Sequence, residues 1–160
     1  MSDQPSVMQD IDYAKVILNY NQTLIHFVDT KAGVLLAVDG AILAILATKA
    51  TAVAGFEELA LGATLLLVGV SAFLGFLIIM PRVHGTHPNT KIFYTAILSQ
   101  TREAYKEGFS STSKEMLDDY LNNIYTLALI QEKKFLYLQS ALACLFMGLV
   151  PLIAVIVAVH

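Results

Sequence analysis

Three apolar blocks alternate with polar stretches along the chain. Leu59 to Met80 is 22 residues without a charge, and Tyr137 to Val159 is 23, interrupted only by Gln139 and Ser140. Both exceed the roughly 20 residues needed to cross the hydrocarbon of a bilayer. Ala32 to Thr48 is shorter, 17 residues, and carries Asp39 near its middle. As a soluble helix it would be apolar nearly all round, which fits a bilayer or a deep core. The pattern predicts three transmembrane helices, at 32–48, 59–80 and 137–159.

The stretches between the blocks are patterned too. Val7, Ile11, Ala14, Leu18, Asn21, Ile25, Val28, Ala32 and Leu35 recur at alternating spacings of four and three. This is a heptad-like seam, and it continues at Asp39, Ile42 and Leu46. It predicts one helix from about residue 7 to 48, with 7–31 outside the membrane. Ser6 after Pro5 is the expected N-cap, and Asp10 and Asp12 suit the positive end of the helix dipole. Pro81, Gly85 and Pro88 punctuate a turn after the second block. A helix from Thr90 to Glu107, closed by Gly108, is expected next. Thr112 and Glu115 read as a capping box. Met116, Tyr120, Leu121, Ile124, Leu127 and Ala128 then keep helical spacing. No breaker lies between Lys114 and Gly148, so this helix should run into the third span, with a kink at Pro151. The expected fold is an all-α membrane protein: three transmembrane helices and a cytoplasmic helical bundle formed partly by extensions of the first and third spans. It reads as a single domain without repeat or linker.

Composition excludes an ordinary soluble domain. The 160 residues are 56% hydrophobic and 14% charged, against about 25% charged on average. A soluble fold of this size buries only about two-thirds of its unfolded surface. Orientation follows from lysine and arginine. The arm before the first span and the 82–134 segment hold nine of them, and the 49–58 loop holds Lys49 alone. Positive charge stays inside, so the N-terminus and residues 82–134 are expected in the cytoplasm, and the C-terminus outside. The N-terminus lacks the basic and apolar regions of a secretory signal. A net charge of −3 argues against non-specific nucleic-acid binding. Cys144 is the only cysteine, so no intrachain disulfide forms.

Asp39 is the outstanding candidate residue. An acid in mid-span costs about 2.5–3.5 kcal/mol on insertion scales and is functional by default. Pore lining, gating and an inter-subunit hydrogen bond are open readings, as is an acid tolerated near the interface. At the inner membrane boundary Asp29, Lys31 and Ala32 form a D-x-K-A element. Asp29 and Lys31 do not face one another on a helix, so each needs another partner. For Lys31 that is lipid phosphate or a bound anion. Arg82, Asn89, Lys91, Tyr94 and Arg102 follow the turn. They combine cations, amide donors and a ring, which suits a phosphate and a stacked base, but a positive-inside charge run explains the cations equally. His84 and His87 lack the further ligands a metal site needs, so no metal is expected, and His26 reads as structural. Gly62 and Gly69 allow close packing, within the monomer or between subunits. No phosphate loop, metalloprotease motif or nucleophile elbow is present, and no enzyme activity is expected.

The order Asp29-Thr30-Lys31-Ala32, Asp39-Gly40, Pro81-Arg82, Pro88-Asn89, Phe93-Tyr94 and Lys133-Lys134-Phe135-Leu136, with Gly148 in the last span, resembles the membrane effectors of Pycsar. Pycsar is a bacterial antiphage system built on cyclic pyrimidine nucleotides. The resemblance covers residues 10–159, and the D-x-K-A element is its most specific part. It implies an inner-membrane effector that responds to cyclic UMP or cyclic CMP, impairs the membrane and aborts infection. The lipid bilayer, the nucleotide and further copies of the chain are then the partners. The single phosphate of such a ligand needs a cation, for which Lys31, Arg82 and Lys91 are candidates. The cytoplasmic portion balances nine positive residues against ten acids, so recognition must be local. Two other classes remain: a constitutive small channel or holin-like pore, and a membrane anchor that recruits a partner.

Overall fold

The computed structural model describes residues 4–49, 56–80, 101–103 and 113–159. Three long helices account for nearly all of them: α1 (Gln4–Lys49), α2 (Phe56–Ile79) and α3 (Ser113–Val159). Each is long and apolar enough to cross a membrane. The expected helix at 90–107 lies outside the described residues except for Thr101, Arg102 and Glu103, of which the last two are helical. The turn with His84 and His87, and Thr112 of the expected capping box, also lie outside them.

Two compact units form along these helices. The first takes Met1–Ile25 and Pro81–Glu132, the second His26–Met80 and Lys133–His160. Thus α1 and α3 each contribute to both, while α2 belongs wholly to the second.

The seam on α1 forms as its spacing predicts. Every position from Val7 to Leu46 on that seam is buried or half-buried. In the second unit Val28, Ala32 and Leu35 of α1 meet Val68 and Ile78 of α2 and Leu138, Ala141 and Leu145 of α3 in one cluster. Apolar side chains at four-three spacing place one stripe of each helix inward and leave the rest for lipid.

The start of α1 differs from expectation. The helix begins at Gln4, so Ser6 lies inside it rather than capping it, and no acid falls in its first turn. Pro5 is tolerated there because the N–H groups of a first turn have no intrahelical acceptor. Asp12 instead pairs with Lys15 one turn on, at 3.1 Å. Pro151 lies inside α3.

Glycines set how closely the helices approach. A Cβ at Gly148 of α3 would sit 3.2 Å from both Leu67 Cβ and Val68 Cγ2 of α2, and 3.6 Å from the Thr64 carbonyl. One at Gly75 of α2 would sit 3.1 Å from Leu36 of α1. The two glycines singled out from the sequence behave differently, because Gly62 and Gly69 have nothing within 4 Å. Close packing within the chain is the work of Gly75 and Gly148.

Substitutions should separate these roles. Gly148→Val overpacks the α2–α3 contact and is expected to lower stability by about 1–3 kcal/mol. Gly69→Ala, in open space, is expected to be neutral or to stabilise by up to about 1 kcal/mol through helix propensity. Thermal melts of the detergent-solubilised protein read both.

Candidate functional site

Among the described residues, two polar clusters interrupt the apolar second unit. The first is Asp39 on α1 with Ser71 on α2, both fully buried. Ser71 Oγ donates to Asp39 Oδ2 at 2.9 Å, and Asp39 Oδ1 has no hydrogen-bond partner. Heptad spacing explains the placement: Asp39 occupies a seam position between Leu35 and Ile42, where the helix turns inward. In this arrangement of the single chain Asp39 is fully enclosed and meets neither water nor lipid, so pore lining or an inter-subunit hydrogen bond would need the helices to part, whereas gating or a tolerated acid would not.

Magnitudes show what this pair does not do. Insertion of the acid costs about 2.5–3.5 kcal/mol, and an interhelical hydrogen bond in a membrane returns about 0.6–2 kcal/mol. The packing holds a carboxyl group that is only half satisfied. It is therefore not a stabilising device, and an arrangement that wets Asp39 relieves the deficit.

The second cluster lies in the D-x-K-A element. Asp29 forms an ion pair with Lys134 of α3, whose side chain is 7% exposed against 33% for Asp29. Ala32, one turn on, is fully buried in the core. The small side chain there lets the helices close around the pair. Lys31 points elsewhere. It is exposed, its ammonium stands 4.3 Å from the centroid of the Phe27 ring on its own helix, and among the described residues it pairs with no acid. A cation–π contact at an exposed site is worth only about 0.5–1 kcal/mol. Lys31 thus keeps its capacity to hold an anion.

The remaining sequence candidates for anion and base contact, Arg82, Asn89, Lys91 and Tyr94, lie outside the described residues. His26, read as structural, is exposed on α1, and its backbone carbonyl accepts from Thr30 Oγ1 at 2.8 Å. An open groove on α2 is lined by Glu58, Leu59, Gly62, Ala63 and Leu66. Its lining holds an acid and no cation, so it is a poor seat for phosphate. Among the described residues no group of acids, histidines and cysteines suits a metal.

Sequence reasoning missed two partners, Lys134 for Asp29 and Ser71 for Asp39. Lys134 appeared there only as part of a basic pair. The seven-residue spacing of Thr64 and Ser71 within an otherwise apolar span was the available signal.

The ion pair yields an ordered expectation. Asp29→Asn strands a buried ammonium and should cost about 2 kcal/mol, below the range for a fully buried pair because Asp29 is one-third exposed. Lys134→Met leaves only the more hydrated carboxylate unpaired and should cost less. Melts of the two variants in detergent give the order.

A family model described as PycTM, the Pycsar effector protein domain, matches residues 13–160. No curated protein and no solved structure matches the chain.

Proposed function

Because the chain belongs to the Pycsar effector protein domain family, an antiphage effector family, we propose that it answers cyclic UMP or cyclic CMP by impairing the inner membrane and aborting infection. The nine-to-one distribution of basic residues supports a topology with the N-terminus and the first unit in the cytoplasm. A nucleotide made in the infected cell is encountered there. Lys31, exposed and pairing with no acid among the described residues, is a candidate for lipid or nucleotide phosphate at the membrane boundary, in the second unit. Arg82, Asn89, Lys91 and Tyr94 are further candidates for the same ligand. The role is binding and response rather than catalysis, since no catalytic grouping occurs in the sequence.

The observation that carries the membrane half of this reading is the half-satisfied Asp39. It is dry in the present packing, so one chain in this arrangement offers it no aqueous path. A leak therefore needs helix displacement or assembly of several copies. Only 22–28% of the most apolar window of each helix is buried, which leaves surface for that assembly. The ligand acts by binding the leaky arrangement better than the resting one.

Cells expressing the protein and supplied with cyclic UMP or cyclic CMP should stop growing and admit a membrane-impermeant dye. Asp39→Asn removes a deficit of about 1.4 kcal/mol from the resting state. Ligand-triggered dye entry should then fall about tenfold. Equal dye entry in the variant removes Asp39 as the gate. Dye entry without nucleotide, unchanged by deleting residues 1–28, marks a constitutive pore. No response to either nucleotide overturns the reading.

A further inference from the structure

Among the described residues of the first unit, one buried polar group has no hydrogen-bond partner. Asn123 of α3 is 4% exposed, and its Nδ2 makes no hydrogen bond. The polar groups beside it are engaged. Asn122 Nδ2 donates to Asp118 Oδ2 at 3.3 Å, and the Asn122 carbonyl accepts from Thr126 Oγ1 at 2.9 Å. Nearly all buried donors in native folds find an acceptor, so an exception asks for an absent one.

Asn123 also occupies a seam position where an apolar residue would serve packing better. The inward stripe of α3 runs back from Leu145, Ala141, Leu138 and Lys134 through Leu127 to Asn123 and Tyr120, at spacings of three, four and seven. Tyr120 and Leu127 are half-buried on the same face, three residues before and four after Asn123. One face of the helix thus combines an amide donor, an aromatic ring and an aliphatic surface. This set suits a planar heterocycle, which stacks on the ring and offers an edge oxygen to the amide. A neutral amide matches a carbonyl oxygen, whereas a phosphate calls for a cation or a charge-assisted fork.

We propose that Asn123, with Tyr120 and Leu127, forms the base-reading wall of a nucleotide site in the first unit, its Nδ2 donating to the ring carbonyl at C2 that uracil and cytosine share. This rests on the cyclic-nucleotide response proposed above. The unbound protein is destabilised at this position, and the ligand supplies the missing acceptor.

Full-length protein in detergent, titrated calorimetrically with cyclic UMP, cyclic CMP and cyclic AMP and melted with and without each, tests the assignment. The wild type should bind at least one of the pyrimidine nucleotides. Asn123→Leu should raise the melting temperature of the unliganded protein by a few degrees and weaken nucleotide binding at least tenfold. Asn123→Ala, which cannot overpack the seam, should show the same loss of affinity. Tight binding by both variants overturns the role of Asn123 and leaves the cyclic-nucleotide reading standing. A lower unliganded melting temperature in Asn123→Leu and Asn123→Ala, with affinity retained, makes the amide a structural group. Failure of the wild type to bind either pyrimidine nucleotide overturns the cyclic-nucleotide reading itself, and the base assignment with it.

Discussion

A carboxyl group held dry among three apolar helices constrains everything around it. Asp39 sits on the inward stripe of α1 and is fully enclosed in this arrangement of the single chain. Ser71 supplies one hydrogen bond, to Oδ2, and Oδ1 is left without a partner. The second unit closes over this defect through small residues: Ala32, Ala141, Gly75 and Gly148 let the helices approach. Such a packing is stable through its area and not through its polar contacts. A modest bias toward a wetter arrangement is then enough to change it.

The Asp29–Lys134 pair has a different character. It joins α1 to α3 within the second unit, with the lysine the more deeply buried partner. A slip of one heptad between the two helices would strand the buried ammonium, so the pair disfavours it. Lys31, two residues along, is turned away from that pair by the helical rotation and keeps its charge available. The D-x-K-A element thus divides its labour. The acid fixes the helices, the alanine lets them close, and the second cation faces outward.

Much of this was legible in the sequence, and the losses have physical causes. All seam positions of α1 were readable because one residue every three or four is enough to define an inward stripe, and Asp39 was found as the exception on it. The bounds of α2 differ by three residues at its start and one at its end from those read from hydropathy. On α3 the expected helix forms, and its apolar residues before the span divide: Tyr120, Ile124 and Leu127 are half-buried. Met116, Leu121 and Ala128 are exposed, and the buried position is Asn123. Partners such as Lys134 for Asp29, 105 residues apart, lie beyond any local spacing rule. Membership of the Pycsar effector family was readable from the order of short motifs, and the family match over residues 13–160 agrees.

The proposed account places the first unit on the side of the membrane where the nucleotide is made. Cysteine labelling in intact spheroplasts tests this most directly, using Cys144→Ser protein with a single new cysteine at Lys106 or Thr51. A membrane-impermeant maleimide should label Thr51→Cys and spare Lys106→Cys until the cells are lysed. Labelling of Lys106→Cys from outside would contradict the account.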